Sequence, residues 1–272
     1  MYEILAAVTV ALIPGFILLD LFHRPRRYAA SRHWHLRALA VTAGIFFFTG
    51  WIGTLWGNLF ENASLIDGSG LGALGGAVVG VLVYEFFHYW YHRAAHEWNW
   101  LWRAGHQMHH SAESVDAFGA FYLHPFDAAV FTSIGSLVFF PLLGLTPQAG
   151  VLAALFLNFN AMFQHANVRT PRWLGYLIQR PESHGIHHAA GIHRYNYSDL
   201  PLWDMLFGTF RNAKSAEGLR AGFYPGASAR IPEMLVGRDV SKPRRAGADF
   251  SIPVTEQEVI EQLTSREAGQ QA

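Results

Sequence analysis

The chain has 272 residues, 20 basic and 20 acidic side chains, 15 histidines and no cysteine. Charged residues make up 15% and hydrophobic ones 51%, where an ordinary soluble domain carries about 25% charged. That balance excludes a disordered chain, the zero net charge argues against a nucleic-acid partner, and the missing cysteine removes disulfides, thiolate catalysis and cysteine-ligated metal sites.

The apolar excess is segmental. Residues 4–22 form a nearly continuous apolar run broken only by Asp20, residues 38–57 a second without any charge, and residues 70–90 a third with Glu85 and His88 near its end. Each is about as long as a helix needs to be to cross a hydrocarbon core of about 30 Å. Three such runs in the first 90 residues predict transmembrane helices rather than buried helices of a soluble bundle. The first has no basic segment before it and no small-residue cleavage site after it, so it is expected to be retained. Residues 126–143 and 148–165 predict a helical hairpin that enters the membrane and returns to the same face, with Pro141 kinking or ending its first arm. The expected fold is all-α: an integral membrane bundle of three transmembrane helices plus a hairpin, under a cytoplasmic histidine-rich helical cap, over residues 1–211. Residues 212–272 read as a polar cytoplasmic tail, in which Thr255 and Glu258 form a capping box for a short helix over 255–266.

Charge sets the expected orientation. The first loop holds Arg24, Arg26, Arg27, Arg32 and Arg37, whereas the second holds Glu61 and Asp67 and no Lys or Arg. The positive-inside rule then puts the first loop in the cytoplasm. The third helix returns there near Arg93.

Histidine spacing points to chemistry. His92 and His96 are four apart; His106, His109 and His110 stand at i, i+3 and i+4; His184, His187 and His188 repeat that pattern. On a helix these positions share one face, close enough for imidazoles to converge on a metal. The predicted topology brings all three boxes, and His165 at the hairpin's end, to one side at one depth. Eight or nine imidazoles exceed the four to six ligands of one ion, so two metal ions are expected. Imidazole suits Fe, Zn, Cu and Ni alike, so the ligands alone do not name the metal. His124 and His88 are second-tier ligand candidates, and His193 is expected beside the site. His23, His33 and His35 fall in the basic loop and are expected to be solvated.

The chain resembles the fatty acid hydroxylase/sterol desaturase superfamily of integral-membrane di-iron oxygenases. The three boxes carry the likeness. Tyr89-Trp90-Tyr91-His92-Arg93 resembles its YWxHR element, His124-Pro125 its HP element, and Asn196-Tyr197 with Trp203-Asp204 and Phe207-Gly208-Thr209 its closing signature. Ser198 stands where the family usually has Gly. The likeness covers residues 83–210. It implies two iron ions held by His92, His96, His106, His109, His110, His165, His184, His187 and His188, dioxygen, and an external electron donor. That donor would be a separate electron-transfer protein of ferredoxin or cytochrome b5 type, or a pterin. It also implies hydroxylation or desaturation of an unactivated C–H of a sterol, fatty acyl, carotenoid or ether lipid drawn from the bilayer. The membrane would be the plasma membrane in a bacterium or the endoplasmic reticulum in a eukaryote.

Carboxylates that could orient ligand rings are Glu85, Glu97, Glu113, Asp116, Asp127, Glu182, Asp199 and Asp204. Glu85, deep in an apolar helix, reads either as functional or as the partner of a nearby Arg. Phe118, Phe121, Tyr122 and Phe126 are candidates for lining a substrate tunnel, and Arg93 for a headgroup contact or a membrane anchor. Two other classes compete. A histidine-rich metal transporter or metal-binding protein would spread ligands along a transmembrane path. A zinc hydrolase would want HExxH, but after His96-Glu97 the closing position is Trp100.

Overall fold

The computed structural model describes residues 2–243 apart from Ala30 and Asn62; the helix expected over 255–266 lies outside the described residues. Every regular element among them is helical, and one isolated bridge joins Ala189 to Ala221. Three long helices open the chain: α1 (Tyr2–Phe22), α2 (Trp34–Leu59) and α3 (Gly72–Glu97). Short α4 (Asn99–Leu101) runs through a π-helical turn at Trp102–His106 into α5 (Gln107–His110). The hairpin follows as α6 (Pro125–Leu137), extended by a π-helical turn at Val138–Leu142, and α7 (Pro147–His165). Short helices α8 (Pro181–His187), α9 (Pro201–Phe207) and α10 (Ile231–Leu235) complete it.

Local chemistry accounts for the ends. Proline occupies the first turn of α6, α7, α8 and α9, where its missing N–H is no loss. Thr146 caps α7 by accepting from the Ala149 N–H at 3.3 Å. Pro141 sits in the turn that ends the first arm of the hairpin.

Three helices are long and apolar enough to span a membrane: Trp34–Leu59, Ser69–Glu97 and Pro125–Leu142. The protein is a multi-pass membrane protein. Two of the three spans are the second and third expected runs, and the other is the opening arm of the expected hairpin; in α1 the apolar stretch Ala11–Phe22 is also described. The 19-residue α7 rises about 28 Å, but Asn158, Asn160 and Gln164 make its last half more polar than a lipid-facing helix.

α3 packs on α7, α2 on α6 and α1 on α7. Small residues allow the tightest of these approaches. A Cβ on Gly76 of α3 would lie 2.8 Å from the Ala149 Cβ of α7, and one on Gly80 2.8 Å from Leu145 Cδ1. At the end away from the histidines, the N–H groups of Leu65, Ile66 and Gly68 donate to the carbonyls of Pro141, Leu142 and Leu143 at 2.8–3.1 Å. The hairpin turn therefore reaches the level of the α2–α3 loop. At the other end, Arg26 of the first loop pairs with Glu182 beside α8 at 2.8 Å, which brings the basic loop to the histidine side.

The histidine-bearing cap has its own core. Trp34, Met108, Phe118 and Tyr122 pack there with Phe223, Tyr224, Met234 and Val240. Glu113 accepts from the N–H groups of Gly226 and Ser228 and from the Ser228 hydroxyl, so residues beyond 212 are tied directly to the segment that follows the second box.

Candidate metal centre

The nine imidazoles form two adjoining groups. His92, His96, His106, His110 and His187 make one, and His109, His165, His184 and His188 the other; within each group the donor atoms lie within 4.8 Å of one another. The division follows helical geometry. Residues four apart, His92/His96, His106/His110 and His184/His188, stay together. The intervening His109 and His187 stand about 100° from their neighbours on the helix and cross to the other group. His110 and His188 stack across the boundary with ring centroids 4.2 Å apart.

Hydrogen bonds fix which nitrogen faces inward. His92 donates Nδ1–H to the Tyr197 carbonyl at 2.6 Å, His187 to that of Tyr195 at 2.7 Å, and His165 to that of Ala161 at 2.8 Å. His106 Nδ1 donates to Asp127 Oδ2 at 2.6 Å, and the other oxygen of Asp127 takes the Tyr91 hydroxyl. A carbonyl only accepts, so these rings carry their proton on Nδ1 and present a bare lone pair at Nε2. Yet His92 Nε2 lies 2.9 Å from His106 Nε2, and both rings are among those so fixed. Lone pairs this close repel unless a cation sits between them. Two ligands at right angles, each about 2.1 Å from a metal, would be about 3.0 Å apart. The Nε2 atoms of His96 and His187 are buried without any hydrogen-bond partner. The donor set therefore fits metal ions.

Electrostatics agree. Burial, and after it the neighbouring imidazoles, hold His109, His110, His184 and His188 well below the ordinary imidazole range. Burial and then His106 do the same to His187. Neutral rings are what ligation requires.

The remaining histidines are placed differently. His124 accepts the Phe126 N–H at 3.0 Å and caps α6, outside both groups. His88 stands one turn below His92, with Glu85 and Asp199. His193 Nδ1 lies 3.1 Å from His110 Nδ1, a supporting position. His23 and His33 are exposed, whereas His35 is partly covered by Phe118, 4.2 Å between ring centroids. Of the eight carboxylates, Asp127 alone among the described residues hydrogen-bonds to a grouped imidazole. Glu97 pairs with Arg93 at 2.7 Å, Glu182 holds Arg26 and Thr170, and Asp116 holds Trp34. Asp204 gathers Tyr197 N–H, Ser198 N–H and the Thr209 hydroxyl, which shapes the loop whose carbonyls orient His92 and His187. The Ser198 hydroxyl also reaches Asp204, at 3.1 Å, so serine is accommodated there.

A cavity of about 620 Å³ runs from His92, His106, His109, His165 and His184 down between α2, α3, α6 and α7. Its walls are mostly apolar, and Phe139, Phe140 and Gly150 line it far from the histidines. Phe121 lines it as expected, but Phe118 and Tyr122 belong to the cap core and Phe126 points elsewhere. The tunnel's other aromatic walls, Tyr84, Phe131 and Phe139, had no sequence signal to set them apart from lipid-facing residues.

Residues 77–209 match the family described as Fatty acid hydroxylase. This segment belongs to the fatty acid hydroxylase family. Both histidine groups and the closing Asp204 turn fall inside it. Among curated proteins, the chain is 29% identical over 140 residues to the very-long-chain aldehyde decarbonylase GL1-9 of Oryza sativa subsp. indica, covering 48% of this chain and 53% of that one. It is 27% identical over 137 residues to sphinganine C4-monooxygenase 1 of Arabidopsis thaliana (49% and 53%). It is 37% identical over 146 residues to the alkylglycerol monooxygenase of Homo sapiens (50% and 31%). The chain thus spans about half the length, or less, of these relatives. No solved structure matches it.

Proposed function

We propose that this protein is a membrane-bound di-iron oxygenase that uses O₂ to hydroxylate an unactivated C–H of a lipid. The observation that carries the reading is the continuity between the nine-imidazole centre and the long apolar cavity beneath it. Two iron ions, one in each histidine group, would supply the reduction of O₂ and the attack on the C–H bond. One oxygen atom enters that bond and the other leaves as water, so two electrons and two protons come from outside.

The chain's own residues do the rest. Nine rings would hold the two ions, four of them with Nδ1–H groups locked by Asp127 and by the carbonyls of Ala161, Tyr195 and Tyr197. The cavity walls orient an alkyl or acyl chain and exclude water from the reacting carbon. The arginines of the first loop support a cytoplasmic histidine end, where a separate donor of ferredoxin or cytochrome b5 type, or a pterin, would reach the centre. Hydroxylation is favoured over desaturation because two of the relatives above bear the name monooxygenase. A transporter reading lacks support: the ligands gather at one end of the bundle.

The test is a metal count in detergent-purified protein, with His109→Ala beside the wild type, followed by a search for oxygenated lipid under ¹⁸O₂ with a reductant. About two irons per chain, reduced in the variant, and one ¹⁸O atom in a lipid product are expected. One metal or none, unchanged in the variant, would overturn the assignment.

A further inference from the structure

A second kind of donor cluster lies one helical turn below the histidine centre. Glu85, His88 and Asp199 bring donor atoms within 4.8 Å of one another, and all three side chains are buried. Glu85 Oε2 accepts the N–H groups of Asp199 and Leu200 at 2.8 and 3.3 Å, and Asp199 accepts from Gln164 at 2.9 Å. Glu85 Oε1 and His88 Nδ1 are left over. Both residues are more than nine-tenths buried, and neither atom has a hydrogen-bond partner. His88 Nδ1 stands 3.5 Å from Glu85 Oε2.

Apart from His88, which faces Glu85 only at 3.5 Å and is positive only when protonated, the charge count is one-sided. Among the described residues neither carboxylate pairs with a Lys or Arg. Two carboxylates taken out of water this close together do not both stay ionised unless something positive joins them. Asp199 registers the conflict: burial, and after it Glu85, push its carboxyl up to about 7.

We propose that Glu85, His88 and Asp199 form a third metal site, for one divalent first-row cation, distinct from the nine-imidazole centre. A single shared proton would join the carboxylates but leave the buried Nδ1 lone pair or N–H of His88 unmatched. An organic ammonium entering through the cavity meets His88 and Asp199, which line it, but not Glu85, which does not. A bare ion reaches all three. One imidazole with two carboxylates suits Mn²⁺, Fe²⁺ or Zn²⁺ better than the soft or all-oxygen alternatives, and the cavity side leaves room for water ligands. The ion would tie α3 to residues 197–200, the same segment whose Tyr197 carbonyl orients His92.

The test uses the full chain in detergent, loaded with Mn²⁺, passed over a desalting column and counted by mass spectrometry. Wild type is expected to keep one more equivalent than the Glu85→Gln/Asp199→Asn double variant, whose side chains are isosteric. His88→Gln, a milder change, is expected to lose that same equivalent. His109→Ala is expected to keep it, so failure of the histidine centre and failure of this site read out separately. An equal count in wild type and both variants overturns the proposal. So does a double variant that melts higher than wild type with its metal count unchanged, since that marks a protonated pair relieved of its charge.

Discussion

Asp127, in the first turn of α6, holds His106 by a 2.6 Å hydrogen bond to Nδ1 while its other oxygen takes the Tyr91 hydroxyl of α3. The hairpin arm is thereby wired to the second histidine box. An outer carboxylate of this kind fixes the ring and raises its basicity. Asp127→Asn keeps the volume and removes the charge. It is expected to weaken metal retention about 10- to 100-fold, read as the chelator concentration that strips half the metal.

Gly105 backs the same contact. A Cβ there would lie 2.8 Å from Asp127 Oδ1 and 3.1 Å from Phe126 Cδ1. Gly105→Ala is therefore expected to displace Asp127 and weaken retention in the same assay without loss of helix content by circular dichroism. Combined with Asp127→Asn it should add little, because both act through one contact.

The α3–α7 seam tests the fold apart from the site. Gly76→Leu would drive a side chain into Ala149, and overpacking costs about 1–3 kcal/mol. A lower melting temperature in detergent is expected, with the metal count per folded chain unchanged.

Acid should release the metals. The folded rings of His109, His110, His184, His187 and His188 titrate well below 6.5, whereas in the unfolded chain they titrate near about 6.5. Between those values the unfolded state binds more protons, so stability rises with pH across the window and falls as pH drops through about 6.5. Bound metal pushes the same way, since protons compete for each lone pair. Metal retained after dialysis at a series of pH values should fall steeply on the acid side of about 6. Flat retention down to pH 4 would contradict a site built from neutral imidazoles.

Ala154 lines the cavity wall on α7. Ala154→Phe would fill part of it far from the ligands. Turnover of the longest accepted chains should drop about tenfold or more, with shorter chains and metal content little changed, measured with a homologous series of substrates.

Much of the centre was legible because ligation demands both a residue type and a spacing. His165, alone in sequence, was found by where the hairpin ends. The division into groups of five and four is not legible in the box pattern: i, i+3 and i+4 read as one face, whereas the step of about 100° between His109 and His110 sends them to different groups. The π-helical turn at Trp102–His106, which leads into α5, has no local sequence rule behind it. Asp127 was one of eight equivalent carboxylates until α6 docked. Apolar runs mark the spans in the sequence, the hairpin arm among them, and the packing of α2 on α6 brings that arm into the bundle.

The three backbone bonds from Leu65, Ile66 and Gly68 to the hairpin turn close the bundle at the end away from the metals. From Gly150 to His165 the cavity follows about 22 Å of α7. A lipid tail lying in it would meet Phe140 and Gly150 at one limit and imidazoles at the other. Such a cavity would act as a ruler: under the proposed function, the carbon presented for oxidation would be counted from the methyl end of the chain, and headgroups of different chemistry could hang outside the measured length.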